Sequence, residues 1–589
     1  MTGYHERGSL RPSSDQRTNR PSTFHQYDKI QGSSDRESEN SAHLRRTNFV
    51  FQGSLLAIAG IIVRIIGMIY RVPLTAIIGT EGNGYYTSAF SIYSLLLILS
   101  SYSLPTSLSR VISQNLAKNQ YKNIVRVLRA ALVYATVIGF LMFSVLFFGA
   151  DRLADMLHKP YVSFSLQALA PTVWIMAYLG IARGYFQGTG NMVPTAISQI
   201  LEQILNAIVS VLCADILYKK GQIADILYQD HAYAYAYAFG AKGGCIGTGA
   251  GALLALIFLL LLYRTRRGHF RRMVRKDPAS PDSYRHIALV LGGTMLPILI
   301  SSTVYNMSTV VDDYIFGNVM TAIGRETEIV LLWGVFGEYR ILFNIPVALA
   351  NSLSSSLIPS LTQAVEAGDR RNTIRRTRYA IRFTMLIAIP ATFGMIALIH
   401  PICYMLFPSK NVETLISVTR VGAVAILFYS LSTISNAILQ GLGYLHVPLR
   451  NAVISLVVHI VSLMAMLYAG LDLYAVMWSN ILFAFLMCIL NQIDIHKHVR
   501  FRQGILKTYV YPCIAALIMG AVCYVLDQGI AHVLPASMRD GRLGSAIRLC
   551  PAVCVGIVVY FLCLLAMHAF TKEDLDAMPM GGRLKRFVR

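Results

Sequence analysis

The sequence predicts an all-α polytopic membrane protein of about fourteen transmembrane helices, with two six-helix lobes related by an internal repeat and two additional helices after them. Three observations carry this. Hydrophobic residues make up 55% of the 589-residue chain and charged residues 14%, against roughly 25% charged in an average soluble protein. The apolar residues fall in runs of about 20, the length a helix needs to cross roughly 30 Å of hydrocarbon. Finally, Ser107-Leu108-Ser109 and Gln187-Gly188-Thr189-Gly190 recur as Ser360-Leu361-Thr362 and Gln440-Gly441-Leu442-Gly443, both 253 residues on. Each Gln-Gly quartet is followed by Val-Pro, at Val193-Pro194 and Val447-Pro448.

In chain order, residues 1–48 are polar and lack apolar periodicity, which predicts a disordered tail because too little surface can be buried to offset ordering entropy. Spans are expected near 50–79, 85–109, 127–149, 161–182, 195–218 and 244–263, forming an N-terminal lobe over 49–263. A basic linker over 264–285 follows. Spans near 286–316, 329–358, 379–400, 413–440, 449–470 and 473–494 form a C-terminal lobe over 286–494. Two further spans, 508–527 and 547–570, occupy 495–570, and 571–589 is a basic tail. The Ala-Tyr run Ala232 to Phe239 reads as a low-complexity loop, and the basic stretches Lys118–Arg129 and Arg370–Arg382 as amphipathic segments along the membrane surface. The nine cysteines lie in or beside apolar runs and form no CxxC pair, so neither a disulfide framework nor a zinc site is expected.

The net charge of +22 invites a nucleic-acid reading. Its distribution argues otherwise. Of the 52 Lys and Arg, 38 fall in the tails and in alternate inter-span loops, which by the positive-inside rule puts both termini in the cytoplasm. No nucleic-acid partner is expected, and the chain reads as a monomer among membrane lipids.

Ionisable residues inside spans are expensive and mark function by default. Arg64 and Arg71 in the first span are seven apart and share a helix face. They suit an anion-binding wall, since guanidinium pairs bidentately with phosphate; the alternative is that Arg71 reaches the outer surface and Arg64 meets a carboxylate. Arg340 either joins that site or pairs with Glu338. In the fifth span Gln199, Glu202, Gln203 and Asn206 form a polar stripe that either faces a cavity or holds helices together. Its counterpart is Asn451, Ser455 and His459, without a carboxylate. Asp312 and Asp313 close the seventh span; one would counter an arginine and the other mark the water boundary. No Walker loop, Gly-x-Ser-x-Gly or His-Glu-x-x-His occurs, so no enzyme activity is expected.

The stretch Gly60-Ile-Ile-Val-Arg-Ile-Ile-Gly-Met-Ile-Tyr-Arg-Val-Pro-Leu74, with Ile78-Gly-Thr-Glu-Gly-Asn-Gly-Tyr85, resembles the opening of the polysaccharide-biosynthesis flippases. Arg183-Gly-Tyr-Phe-Gln-Gly-Thr-Gly-Asn-Met-Val-Pro-Thr-Ala-Ile-Ser-Gln-Ile-Leu-Glu-Gln203 is similar to their stage V sporulation protein B/YtgP (MurJ-like) branch. That resemblance implies the multidrug/oligosaccharidyl-lipid/polysaccharide (MOP) fold, in which two lobes flank a central cavity. It also implies translocation of an undecaprenyl-pyrophosphate-linked oligosaccharide or peptidoglycan precursor across the cytoplasmic membrane by alternating access. Arg64 and Arg71 match cavity arginines of that branch, with spacing one residue longer here, and the last two spans would hold the polyprenyl tail. No cofactor or metal is implied. Coupling to Na+, H+ or membrane potential is left open, with Gln199, Glu202, Gln203, Asn206, Asp312, Asp313 and His459 as the polar candidates. Three rival readings are a MATE-like Na+/H+-coupled multidrug exporter, a non-transport scaffold for cell-wall or spore assembly, and a membrane enzyme.

Overall fold

Apolar runs of this length satisfy their backbone polar groups within a helix, the one open-chain solution in hydrocarbon. The structure, a computed structural model, describes residues 55–569 except 57, 229–233, 279, 445 and 500–502. The expected tails 1–48 and 571–589 lie outside the described residues. Among the described residues every regular element is helical.

The first half holds α1 (Ile58–Ile69), α2 (Arg71–Leu97), α3 (Leu104–Ala117), α4 (Tyr121–Phe148), α5 (Ala150–Met156), α6 (Val162–Gly188), α7 (Val193–Tyr228) and α8 (Ala234–Lys276). Next come α9 (Tyr284–Ala322), α10 (Ile329–Glu366), α11 (Arg370–Leu406), α12 (Val412–Gly422), α13 (Val424–Gly441), α14 (His446–Tyr468) and α15 (Asp472–Val499). Last are α16 (Tyr511–Val533), α17 (Ala536–Arg539) and α18 (Arg542–Ala566). Twelve helical stretches among the described residues are long and apolar enough to cross a membrane. The first expected span appears as α1 running into the start of α2, and the seventh as the 39-residue α9.

Gly79 separates the first two spans. Its φ of +69° breaks the helix inside α2, a conformation that a side chain would strain. The repeat keeps its register in three dimensions: α6 and α13 end at Gly188 and Gly441, and α7 and α14 begin at Val193 and His446, each 253 apart. Apolar residues on the outer faces of α4, α7, α14 and α16, such as Val133, Ile208, Val461 and Val525, are exposed, as a lipid-facing surface requires. The last two spans pack on α11 through one apolar cluster that includes Met385, Ile389, Ala516 and Tyr560.

Three expectations are corrected. The Ala-Tyr run is not a loop where it is described: α8 begins at Ala234, and Tyr235 and Phe239 pack edge-on against Tyr161 and Phe164. The basic stretches at 118–129 and 370–382 are not separate surface segments. Most of each forms the opening turns of the long helices α4 and α11. The span expected at 413–440 is two helices, α12 and α13, parted at Ala423.

Candidate functional site: a basic cavity and the seam that closes it

Spans one, two and eight enclose a cavity of about 540 Å³ between the two halves. Arg64, Gly67, Met68 and Arg71 line it from the first span, Thr87, Phe90, Ser91 and Ser94 from the second, and Gly337, Arg340, Ile341 and Asn344 from α10. The three arginines singled out in the sequence thus share one space. Helical spacing puts Arg64 and Arg71 two turns apart on one face, as read. Arg64 Nη1 donates to the Ala348 carbonyl across the cavity at 2.7 Å. The Arg71 guanidinium lies over the Tyr86 ring at 4.5 Å and near Phe90 at 5.5 Å. Arg340 sits 5.9 Å from the Phe336 ring. Glu338 does not pair with Arg340; it is buried against α2, where one carboxylate oxygen accepts from Thr80 Oγ1 at 3.2 Å.

At the end of the cavity that the charge pattern assigns to the outside, α2 and α10 meet with almost nothing between their backbones. A Cβ on Gly84 would stand 2.2 Å from the Val330 carbonyl oxygen, and one on Gly337 2.2 Å from Thr87 Oγ1. Asn83 Nδ2 donates to the Gly334 carbonyl at 2.8 Å. Beside this seam Lys159, from the turn before α6, donates to Asp313 of α9 at 2.5 Å and to Ser88 Oγ at 2.9 Å. Its ammonium also faces the Trp333 ring at 4.6 Å. Burial pulls Lys159 below the ordinary lysine range, and the Asp313 charge opposes that shift.

The two adjacent aspartates therefore serve different halves, and the Asp312 charge also favours the Arg340 guanidinium of the cavity. Asp313 reaches back to the first half. Asp312 pairs with His459 of α14 and accepts from Asn480 Nδ2 of α15 at 3.0 Å, with Asn480 in turn bonded by Tyr429. His459 and Asp312, chosen separately from the sequence, thus form one buried cluster in the second half.

The fifth-span stripe is placed differently. Gln199, Glu202, Gln203 and Asn206 are not among the residues lining the cavity. Glu202 accepts from Arg183 at 2.5 Å, and Arg183 also donates to Ser198. Gln203 packs against Gly67, and Asn206 Oδ1 accepts from Ser210 and Thr248 at the α7–α8 contact. Within the stripe, Glu202 ties α7 to α6 and Asn206 ties α7 to α8. Sequence reasoning missed Lys159 and Arg183, both counted as loop charges. It also missed Asp527 and Arg548, a doubly hydrogen-bonded buried pair at 2.8 Å joining α16 to α18. Only Arg183 left a signal: Glu202 follows it across a tight turn, 19 residues on, and needed a partner. Among the described residues no cluster of His, Cys, Asp or Glu suits a metal ion.

Two repeated helical halves with a largely apolar cavity between them that carries three arginines define a polytopic membrane transporter. Residues 52–365, more than half of the chain, match the family described as polysaccharide biosynthesis protein, and residues 339–464 match MatE. The chain belongs to the polysaccharide biosynthesis protein family. It is 25% identical to the uncharacterized membrane protein YabM of Bacillus subtilis, over 92% of this chain and 97% of that one. It is 25% identical to the lipid II flippase MurJ of Bacillus subtilis, over 93% and 99%. With stage V sporulation protein B of the same organism the identity is 22%, over 90% and 98%. Among solved structures, lipid II flippase MurJ in an inward closed conformation superposes with a TM-score of 0.59 at 15% identity, covering 87% of this chain and 98% of that one. An inward-facing multidrug resistance MATE transporter of the MOP superfamily gives 0.58 at 16%, covering 75% and 98%. These likenesses give the MOP fold, and the named flippase MurJ and the MATE neighbour are transporters rather than enzymes.

Proposed function

We propose that the chain is a flippase that carries a polyprenyl-pyrophosphate-linked saccharide or peptidoglycan precursor across the cell membrane by alternating access. The observation that carries this is the convergence of Arg64, Arg71 and Arg340 on one cavity between the halves. A pyrophosphate crossing hydrocarbon needs its charge compensated, and guanidinium does this bidentately in a site where water is scarce. The same cavity offers Ser91, Ser94 and Asn344 as hydrogen-bonding groups for sugar hydroxyls. Relatives named as lipid II flippase and stage V sporulation protein support the substrate class. The reading includes cytoplasmic termini, two six-helix lobes that rock about the seam, a monomer, and the Asp312–His459 cluster as the candidate for ion coupling.

A MATE-like exporter is the second reading, favoured by the MatE match over 339–464. Three arginines in the cavity oppose it, because they repel the cationic compounds such a carrier would take. The test is Arg64→Glu in reconstituted vesicles with a lipid-linked saccharide as substrate. Translocation is expected to stop while insertion and thermal stability persist. Unchanged translocation overturns the proposal, and gain of cation export by the same variant would favour the exporter.

A further inference from the structure

The contact of α2 with α10 holds a carboxyl group that no ion pair accounts for. Glu338 lies one turn beyond Gly334 and next to Gly337, the two glycines that let the helices meet. It is 2% exposed. Its Oε1 accepts from Thr80 Oγ1 at 3.2 Å, and its Oε2 has no hydrogen-bond partner. Among the described residues no cation pairs with it. Glu81 of α2 adds a like charge, and Cys403 of α11 is a second titratable group that its charge reaches. Arg340, two residues on, faces the Phe336 ring, and Lys159 is held by Asp313 and Ser88.

An ionised carboxylate in this place would be a buried charge with one oxygen unmet, a state that a protein avoids by neutralising the group. One proton removes the charge and turns Oε2 into a donor. A metal ion with its ligand shell does not fit, because a Cβ on Gly334 would already stand 1.8 Å from the Thr80 carbonyl oxygen. Once α2 and α10 part, water reaches the carboxyl and its ionisation carries no such cost. Asn83 Oδ1 and Thr87 Oγ1 of α2 and Trp333 Nε1 of α10 also lack partners in the closed contact, and water would satisfy them in the same step.

We propose that Glu338 is a proton-binding site built into the seam: its carboxyl holds a proton while α2 and α10 are in contact and gives it to water when they part. The O–H bond breaks, its electron pair stays on the carboxylate oxygen, and opening of this end releases one proton. The site is distinct from the Asp312–His459 cluster, which lies within the second half. It rests on the reading of the seam as the part that opens during transport.

The test follows Trp333, fully buried in the contact. It uses the full chain in nanodiscs with Trp174→Phe and Trp478→Phe, which leaves Trp333 as the one tryptophan. Iodide, excluded from hydrocarbon, quenches its emission where the seam is open. Because the closed form binds the extra proton, alkaline solution favours the open one. With Na+ and ionic strength fixed, raising the pH from about 5 to about 8, above the ordinary glutamate value of about 4.3, should raise the open-to-closed ratio by up to about tenfold per pH unit. Glu338→Gln, neutral throughout, should stay closed with a flat profile. If it does not fold, Glu338→Met replaces it with the same expectation. Lys159→Met and Asp313→Asn should raise the open fraction yet keep the slope, which separates Glu338 from the neighbouring pair. A flat profile in the parent, an unchanged slope in Glu338→Gln, or a ratio that follows Na+ at fixed pH overturns the proposal. A sloped profile in a protein that moves no lipid-linked saccharide supports the proton site and overturns the substrate reading instead.

Discussion

Lys159 and Asp313 form an ion pair across the two halves at 2.5 Å, with both side chains fully withdrawn from solvent. They are 154 residues apart in sequence. The pair sits beside the close contact of α2 with α10, so this end of the cavity is shut by charge as well as by backbone contact. A transporter that exposes its cavity alternately must break both.

Removing one partner leaves a buried charge uncompensated, which costs about 3–5 kcal/mol. Lys159→Met is therefore expected to destabilise the state closed at this end and to shift the protein toward opening there. The measurement is labelling of a cysteine introduced at Ser94 in the cavity by a membrane-impermeant thiol reagent. Lys159→Met should accelerate it at least tenfold, and the paired change Lys159→Met with Asp313→Leu should restore most of the protection. Unaltered labelling in the single variant would mean the pair is not part of the closure.

The backbone part of the closure is testable separately at Gly84. A methyl group there would stand 2.2 Å from the Val330 carbonyl oxygen, and a backbone atom cannot yield as a side chain can. Overpacking of this kind costs about 1–3 kcal/mol. Gly84→Ala should raise the same labelling by fivefold or more. Gly190→Ala makes a useful contrast: its φ is +78° but a Cβ would meet open space. It should strain a turn without touching the seam and leave labelling at the wild-type rate.

How much of this was legible in the sequence depends on how local the cause is. Span positions were legible because apolar run length is local. The repeat was legible because helix ends need glycine and proline at fixed places, as at Gly188 and Gly441. The cavity arginines were legible because an intramembrane charge stands out against its neighbours. The stripe from Gln199 to Asn206 was only half legible: spacing shows that these residues share a face but not which helix faces them, and Arg183 proved to be the partner of Glu202. Lys159 was illegible. It resembles any loop lysine until the fold brings α9 beside it. The Ala-Tyr run misled because low complexity suggests a loop, whereas Ala favours helix and Tyr235 and Tyr237 find aromatic partners in Tyr161, just before α6, and Tyr218 of α7.

The last two spans are joined by Asp527 and Arg548, with side chains 1% and 2% exposed. Both oxygens of Asp527 accept, at 2.8 Å each. Asp527→Ala should lower the thermal transition in nanodiscs markedly, by an amount equivalent to about 3–5 kcal/mol. Asp527→Leu with Arg548→Met should recover most of that loss. If the single change is silent, the pair contributes orientation and no net stability.

Arg71 is the clearest case of two halves alike in frame and unlike in charge. It lies over Tyr86 and Phe90, whose repeat counterparts are Tyr339 and Phe343, 253 residues on. Both aromatic pairs are close, with centroids 4.4 Å and 5.6 Å apart. Among the described residues, however, no cation lies over the Tyr339 or Phe343 ring, and Arg340 faces Phe336. The Tyr339 hydroxyl instead donates to the Gly422 carbonyl at 3.0 Å. The aromatic platform is thus a shared structural part that only the first half has fitted with a guanidinium. A double-mutant cycle isolates that contact: Arg71→Gln and Tyr86→Leu, alone and together, should show a coupling energy of about 0.5–2 kcal/mol in thermal stability. Tyr86→Phe should keep most of it, since the ring face and not the hydroxyl carries the interaction. Arg71→Lys, which keeps the charge but loses the planar fork, should bind pyrophosphate-linked substrate several-fold more weakly than wild type. Equal binding by the lysine variant would reduce Arg71 to a point charge, and a coupling near zero would remove the aromatic pair from the site.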